Sequence, residues 1–475
     1  MNDQTNSFFF YDLETSGLSP RESRIMQFAG QRTDLKLNPI GEPVNLLVKL
    51  SDDTLPSPYA IAVTKITPQS TQADGLTEAE LCRYLTDEIF IPGTCVLGYN
   101  SVRFDDEFIR HLFWRNFYDP YEWQWKDGRS RWDILDVVRL TRALRPEGIN
   151  WPYQDKEIEK DGKKETIKVK TNRLELITKL NHIEHEHAHD ALADVCATIA
   201  VARLIKEKQP DLWDFLFKMR DKKQVAKLIN LEEPAPFVYA CGRYSSEYDK
   251  TTVAFPVAPS RNGNVLVWDL RYDIAECGRE ISRPESPLPA LHLFPKLKEL
   301  HYNRCPAVAP LGVLEKDDGW QKIGLEKAQI EQNLKSLLSH PEIIEAAREE
   351  EESRPEFPPA IDPESALYDG FLDDQDRRLC GIVRAADQNQ LADLHLDFTD
   401  PRLEPLLLHY KAKNFPQSLS EQEQKTWGEY RRARLKHQSV SYERELNALS
   451  ARGDVDPFII EELMLWAESR ADSEY

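Results

Sequence analysis

The stretch Phe8-Phe9-Phe10-Tyr11-Asp12-Leu13-Glu14-Thr15-Ser16-Gly17 decides the fold class of the N-terminal part of the chain. Its first four residues form an apolar run of the length of a buried strand, and two acids follow where that strand ends. Because residues two apart on a strand point to the same face, Asp12 and Glu14 project together. Two carboxylates this close repel each other unless a cation lies between them, and a hard divalent ion prefers oxygen ligands. The pair is also typical of a solvated strand end, so its interpretation depends on further motifs.

The segments that follow alternate between strand-like and helix-like patterns over about two hundred residues. Residues 25–32, 44–49 and 94–98 are strand-like, whereas 106–114 and 191–206 have the apolar spacing of helices. Strands in succession, followed by strands and helices in alternation, predict an α/β domain with a mixed sheet.

A second acidic element, residues 98–105, leads from the fourth predicted strand into a helix. Asp105 opens that helix, and both it and Asp106 are candidate N-caps. We expect one of the two to cap the helix and the other to face the same site as the first pair of acids.

A third element runs from His189 to Asp194. Asp190 is predicted to cap a helix, which places Asp194 on its first turn and His189 just outside it. His189 and Asp194 can then approach one site from a loop and from a helix start. By itself, Asp194 has the pattern of a solvated helix acid.

Together, the three elements resemble the motifs of the DEDDh exonucleases, the superfamily of polymerase proofreading domains. That family combines D-x-E, N-x-x-x-F-D and H-x-x-x-x-D, which occur here in the same order. The resemblance selects Asp105 over Asp106 as the third acid, because Phe104 precedes it. It implies a ribonuclease H-like mixed sheet carrying two Mg²⁺ ions, for which Mn²⁺ can substitute, and a histidine general base. The implied metal ligands are Asp12, Glu14, Asp105 and Asp194, and the implied base is His189.

The chain also resembles bacterial exonuclease I over nearly its whole length. The similar stretches outside the nuclease motifs are residues 98–106, 116–121, 144–152 and 367–371. This resemblance implies an exodeoxyribonuclease that degrades single-stranded DNA from 3′ to 5′ into 5′-mononucleotides, in DNA repair and recombination. It further implies binding to the acidic C-terminal tail of single-stranded DNA-binding protein, for which Arg145 is a candidate contact.

Contacts with the DNA strand are expected from aromatic rings that stack on bases and from cations that bind phosphates. Residues 110–145 are rich in both. We expect core packing to account for about half of these aromatic residues. From the resemblance, the candidate strand contacts are Glu14, Arg110, Tyr121, Trp125, Arg139, Arg173, Lys222, Lys298, Asn303, Tyr368 and Phe371. For Phe371, a structural role is an equally good interpretation.

Three domains are predicted, at residues 1–205, 210–352 and 356–475. Short strand-like segments at 237–241, 252–257 and 265–270 indicate a β-rich domain after the first, and the end of the chain reads as helical. The resemblance implies an SH3-like domain and a helical domain that enclose the strand in a groove. Deletion of residues 355–475 is therefore expected to shorten each processive run and to spare some cleavage of very short oligonucleotides.

Composition narrows the remaining possibilities. The net charge of −20 does not exclude DNA, because phosphate binding depends on local Lys and Arg residues. The chain has no run of eighteen apolar residues, so no membrane span is expected, and its polar start predicts a cytoplasmic protein. Seven scattered cysteines without a CxxC pair indicate reduced thiols. A monomer is the default expectation.

Three alternatives remain open at this stage. An RNA-trimming exonuclease would carry the same five catalytic residues, and a catalytically silent scaffold would bind single strands without cutting them. A zinc-dependent hydrolase could use the histidine-rich tract of His182, His185, His187 and His189. The charged segment 155–169 is expected to form an exposed loop or hairpin.

Overall fold

The computed structural model describes residues 5–160, 163–185, 190–276, 296–353, 355 and 358–471. The chain divides into two compact units. The first contains the described residues within 1–130, 186–196 and 358–475, and the second contains those within 131–185 and 197–357. The first unit therefore combines sequence from the predicted first and third domains.

A mixed sheet forms the centre of the first unit. Its strands are β1 (Ser7–Thr15), β2 (Ile25–Thr33), β3 (Val44–Leu47) and β4 (Thr94–Gly98). Within this unit their order is β3-β2-β1-β4, with β1 antiparallel to β2 and parallel to β4. The predicted mixed sheet is confirmed.

Strand β1 extends past the apolar run, so its acids lie within the strand. Phe9, Tyr11 and Leu13 point into one buried core, where Tyr11 stacks on Phe28 with ring centroids 6.0 Å apart. The alternation of a strand turns the intervening Asp12 to the other face of the sheet. Burial of the aromatic side chains thereby determines the direction of the carboxylates.

The N-terminal helices of this unit pack around the sheet. They are α1 (Pro58–Thr64), α2 (Pro68–Asp74), α3 (Glu78–Tyr84), which continues as a π-helical turn (Leu85–Ile89), and α4 (Asp105–Arg115). Helix α3 begins with a capping box of Thr77 and Glu80. Almost the whole of α4 is buried, which fixes the position of the acids at its first turn.

The second unit contains the β-rich part of the chain. Its helices are α5 (Ile134–Leu144), α6 (Leu174–Leu180), α7 (Ala191–Lys208, which begins in the first unit), α8 (Pro210–Met219), α9 (Lys222–Leu228), α10 (Gly319–Lys322), α11 (Lys327–Leu338) and α12 (Pro341–Ser353). Its strands are β5 (Ser130–Asp133, at the boundary), β6 (Tyr153–Lys160), β7 (Lys163–Lys170), β8 (Phe237–Ala240), β9 (Thr251–Pro259), β10 (Val265–Asp269), β11 (Leu297–Leu300) and β12 (Ala307–Pro310).

Two predictions for this unit are confirmed. The last five strands form one sheet in the order β11-β10-β9-β8-β12. The charged segment forms the antiparallel hairpin β6–β7, in which Tyr153 lies opposite Lys170.

The C-terminal helices return to the first unit. They are α13 (Asp374–Ala385), α14 (Gln388–Ala392), α15 (Leu403–Asn414), α16 (Glu421–Arg452) and α17 (Pro457–Ala471). A capping box of Ser420 and Glu423 begins α16. Trp114 of α4 shares a core with Val383 and Leu406 of these helices, so the two ends of the chain bury apolar surface together. None of the helices described is both long and apolar enough to cross a membrane.

Candidate active site

Three carboxylates converge beside the mixed sheet of the first unit. Asp12 and Glu14 project from β1, and Asp194 projects from the first turn of α7. One carboxylate oxygen of each lies within 4.8 Å of the others, and all three residues are half-buried. Residues 180 positions apart therefore share one site, as the motifs predicted.

Asp105 lies directly behind this group. It is buried, and its Oδ1 accepts a hydrogen bond of 3.1 Å from the backbone N–H of Leu13, between the two acids of β1. The neighbouring Asp106 accepts a bond of 2.5 Å from the hydroxyl of Tyr11. The expectation that one of these two acids caps α4 was wrong: the N-cap residue is Phe104, and no side chain caps the helix.

A tight turn between β4 and α4 places Asp105. A Cβ on Gly98 would lie 2.7 Å from the carbonyl oxygen of Tyr11, so a larger residue does not fit at the end of β4. Asn100 then takes the left-handed conformation, with φ of 69°. The chain reverses within a few residues and begins α4 next to β1.

Asp190 caps α7, as predicted. Its Oδ1 accepts a hydrogen bond of 3.1 Å from the backbone N–H of Ala193, and the N–H of Asp194 donates to its carbonyl at 3.0 Å. The cap fixes the first turn and with it the carboxylate of Asp194. His187 and His189 lie outside the described residues.

Burial and repulsion between carboxylates dominate the electrostatics of the group. Burial, followed by repulsion from Asp194 and Asp190, raises the pKa of Glu14 to about 8. Burial, followed by repulsion from Asp105 and Asp194, raises the pKa of Asp12 well above its usual range. Clustered oxygen donors with raised pKa values fit a hard divalent cation, which would remove the repulsion.

The candidate strand contacts in the first unit fall into two classes. Arg110 is buried and donates to Glu107 at 2.7 Å and to Gln124 at 3.0 Å, and its guanidinium lies 5.5 Å from the ring centroid of Tyr121. These partners give Arg110 an internal packing role. By contrast, Trp125 is 62% exposed, Tyr368 45% and Phe371 83%, so their rings are accessible.

In the second unit, three of the candidate strand contacts lie close to other groups of the protein. Arg139 forms an ion pair of 2.5 Å with Asp136, and the backbone carbonyl of Asn303 accepts a bond of 2.7 Å from Arg131. The Lys298 ammonium lies 5.0 Å from the ring centroid of Tyr244.

The other two strand candidates of this unit, and the candidate contact for the partner protein, lie nearer the surface. The Arg173 side chain is more than half exposed and pairs with Glu175 at 2.5 Å, and Lys222 is exposed at the start of α9. Arg145 donates to the carbonyl of Leu144 at 2.7 Å.

The histidine-rich tract does not form a strand over its described part. His182 takes a left-handed conformation with φ of 56°, and Nδ1 of His185 lies 3.2 Å from the hydroxyl of Thr178. Neither belongs to a group of potential metal ligands among the described residues.

One feature escaped the sequence interpretation: a second acid cluster in the first unit. Asp362, Glu364 and His409 also place ligand atoms within 4.8 Å of one another. The residues that complete this cluster come from distant parts of the sequence, such as Arg24 and Glu364 at 340 positions apart, and no motif connects them. Only isolated acids and bases were visible in the sequence.

Comparisons with known proteins cover the whole of this architecture. Models of three protein domains match the chain: an exonuclease domain over residues 9–202, the exonuclease I SH3-like domain over 220–350 and the exonuclease I C-terminal domain over 361–470. Exodeoxyribonuclease I of Haemophilus influenzae is 40% identical over 455 residues, which are 93% of each chain.

Solved structures agree over nearly the full length. Escherichia coli exonuclease I in complex with a dA16 oligonucleotide superposes with a TM-score of 0.89 at 37% identity, covering 98% of this chain and 100% of that one. A structure of SSB/exonuclease I in complex with an inhibitor has a TM-score of 0.86 at 36% identity, with the same coverage.

Proposed function

Since the chain belongs to the exodeoxyribonuclease I family and is an exonuclease of single-stranded DNA, we propose that it removes nucleotides from the 3′ end and releases 5′-mononucleotides. The observation that carries the proposal is the convergence of Asp12, Glu14 and Asp194 within 4.8 Å, with Asp105 held against β1. The same reaction would serve DNA repair and recombination, in the cytoplasm.

Asp12, Glu14, Asp105 and Asp194 would hold two Mg²⁺ ions, or Mn²⁺ in their place. Bound ions of this kind lower the pKa of a coordinated water and stabilise the charge on the departing 3′ oxygen. The protein itself supplies rigid placement. β1 is buried on its other face, Asp105 is tied to the backbone of Leu13, and Asp194 is tied to a capped helix. Such placement lowers the entropic cost of aligning the reactants.

His189 is the proposed general base. In the sequence it directly precedes Asp190, the cap of α7, and lies five positions before Asp194. An imidazole with a pKa near 6.5 accepts a proton at neutral pH, which suits the activation of water.

The strand would be bound by aromatic rings and by cations. Exposed rings stack on bases irrespective of sequence, at about 1–3 kcal/mol per base. The proposed contacts remain Glu14, Arg110, Tyr121, Trp125, Arg139, Arg173, Lys222, Lys298, Asn303, Tyr368 and Phe371. The exposure of Trp125, Tyr368 and Phe371 favours these three as stacking residues.

We further propose that the protein acts as a monomer and binds the acidic tail of single-stranded DNA-binding protein through a surface that includes Arg145. The complex of SSB with a relative of 36% identity supports this partner. The functional regions would be 1–205, 210–352 and 356–475, which correspond to the three matched domains.

Degradation of end-labelled single strands tests the proposal. A 5′-labelled DNA strand should shorten stepwise in the presence of Mg²⁺, and a 3′-labelled one should release labelled mononucleotide first. Removal of metal with a chelator should stop both, and an RNA strand of the same sequence should be cut more slowly. Faster RNA cleavage would favour the RNA-trimming alternative, and shortening from the 5′ end would refute the proposed polarity.

A further inference from the structure

A buried group of opposite charges, here called the ionic cluster, lies inside the first unit. It consists of the acids Asp53, Glu78, Asp362 and Glu364 and the bases Arg24, Arg115, Lys413 and Arg434. Glu364 is 1% exposed and contacts the guanidinium of Arg24 and the ammonium of Lys413. Because each acid has a cationic neighbour, the cluster does not need a metal ion, although Asp362 and Glu364 form with His409 a group whose ligand atoms are close enough to hold one.

The ionic cluster is joined to the loop that follows the metal-site acids. Arg24 ends the loop between β1 and β2, and its backbone N–H donates to the hydroxyl of Ser16 at 2.8 Å. The N–H of Ser16 donates back to the carbonyl of Arg24 at 2.8 Å, which closes the loop two residues after Glu14. The side chain of Arg24 then reaches Glu364.

The same C-terminal segment also touches the helix that carries Asp105. Pro363 and Glu364 belong to a short 3-10 helix, Pro363–Tyr368. The indole N–H of Trp114, in α4, donates to the carbonyl of Pro363 at 2.8 Å. Residues 363–364 thus contact α4, which carries Asp105, and the loop that follows β1, which carries Asp12 and Glu14.

Additional bonds hold this arrangement in place. The hydroxyl of Ser365 donates to the carbonyl of Arg21 at 3.3 Å, and Arg434 donates to the carbonyl of Glu22 at 3.2 Å. The paired backbone bonds between Ser16 and Arg24 couple a shift of Arg24 to the end of β1.

We propose that Glu364, from the C-terminal helical region, is a positioning residue for the metal site: through Arg24 it holds the β1–β2 loop, and with it the carboxylates of Asp12 and Glu14, in the geometry that binds metal. This inference rests on the proposed function, since it concerns the same four ligands. Residues that orient metal ligands without touching the ion typically affect metal affinity by about 10–100-fold.

The test measures Mn²⁺ binding to the full-length protein in the absence of DNA. The electron paramagnetic resonance signal of the free ion reports how much Mn²⁺ remains unbound. Glu364→Gln should raise the half-saturating Mn²⁺ concentration by about 10-fold. The Mg²⁺ concentration that gives half-maximal cleavage of a short oligonucleotide should rise in parallel, and kcat at saturating metal should largely recover. An unchanged half-saturation in a folded Glu364→Gln protein overturns the proposal.

Asp376→Asn is the matched control. Asp376 is also 1% exposed, and it accepts bonds of 2.9 Å from the N–H groups of Thr399 and Asp400, away from the loop. It should lower the melting temperature without changing Mn²⁺ binding. If it weakens Mn²⁺ binding as much as Glu364→Gln does, the effect is general destabilisation and the proposal fails.

A milder variant covers the case in which Glu364→Gln does not fold. Ser16→Ala removes only the hydroxyl that accepts from Arg24, and should raise the half-saturating Mn²⁺ concentration by up to about fivefold. An unchanged value overturns the proposal. If the wild-type protein itself binds no Mn²⁺ and cuts DNA without added metal, the proposed function fails as well, which distinguishes the two failures.

Discussion

The candidate active site and the ionic cluster are built from the same residue types and respond to burial in opposite ways. In the active site, burial and neighbouring carboxylates together raise the pKa values of Asp12 and Glu14. In the ionic cluster, burial alone would raise the pKa of Glu364, but Lys413 and Arg24 outweigh it and hold that pKa well below its usual range. The same balance lowers the pKa of Asp53.

The candidate active site and the ionic cluster differ in the charges that lie next to their carboxylates. Where the protein provides its own cations, buried acids become a fixed part of the structure. Where neighbouring carboxylates repel one another, as at Asp12 and Glu14, a bound cation would relieve the repulsion and stabilise the folded state. We therefore expect the removal of one charge to affect mainly activity in the candidate active site and mainly stability in the ionic cluster.

The largest effect is expected from the third proposed metal ligand. Asp105→Asn should lower kcat for cleavage of a 5′-labelled oligonucleotide on the order of 10³-fold, or about 4 kcal/mol of transition-state stabilisation. Single-strand binding, measured by fluorescence anisotropy in the presence of Ca²⁺, should persist.

The adjacent Asp106→Asn provides the control. Asp106 is equally buried but accepts from Tyr11, and an asparagine oxygen can accept the same bond. Its activity should stay within a few-fold of wild type. Equal losses in the two variants would show that α4 responds to any change of charge and that Asp105 has no special role.

In the ionic cluster, we expect a substitution to lower activity less than Asp105→Asn does and to lower stability strongly. Lys413→Met leaves the carboxylates of Asp53 and Glu364 with less compensation and should reduce the free energy of unfolding in urea by about 3–5 kcal/mol. Because the pKa of Glu364 is depressed in the folded state, its stabilising contribution is present above an unfolded pKa near 4.5 and is lost as the pH falls below it. The loss of unfolding free energy in Lys413→Met should therefore be largest at neutral pH and become smaller in acid.

Lys327→Met is the comparison for that measurement. Lys327 pairs with Glu315 at 3.0 Å on the surface, where both side chains are half exposed. Exposed pairs contribute about 0–1 kcal/mol. If Lys413→Met also reduces the free energy of unfolding by only about 0–1 kcal/mol, the ionic cluster contributes no more than a surface pair.

The smallest effect is expected from relieving repulsion in the active site. Folded, metal-free protein keeps Glu14 protonated up to about pH 8, whereas the unfolded chain releases that proton near pH 4.5. The folded state binds more protons between these values, so stability falls as the pH rises through this range. Glu14→Gln should therefore raise the melting temperature of chelator-treated protein at pH 8, on the order of 2–4 °C, and have little effect near pH 5.

Exposed Glu42→Gln should leave the melting temperature unchanged at both pH values. Excess Mg²⁺ should reverse the order of wild type and Glu14→Gln, because an ion bound only by the folded state stabilises the protein that has the better site. If Glu14→Gln melts below wild type at pH 8 without metal, the carboxylates are not under the repulsion inferred here.

The C-terminal region shows where the interpretation of the sequence was incomplete. Residues 356–475 were predicted to be a separate helical domain whose loss shortens processive runs. In the structure, described residues of this region share a core with Trp114 of α4 and the ionic cluster with Arg24 of the β1–β2 loop. Their deletion would leave Arg24, Asp53 and Glu78 without their C-terminal partners. We therefore expect the truncated chain to lose stability as well as processivity.

The sequence by itself predicted most of the strands and helices and singled out the acids proposed to hold metal, including Asp105 over Asp106. These features depend on neighbours within a few positions: the alternation of β1, the turn before Asp105 and the cap at Asp190. Tertiary structure alone decided that Asp106 accepts a bond from the hydroxyl of Tyr11 and that Glu364 meets Arg24 across 340 positions. A buried ion pair leaves no local pattern, because its energy depends on which distant charge the fold brings into contact.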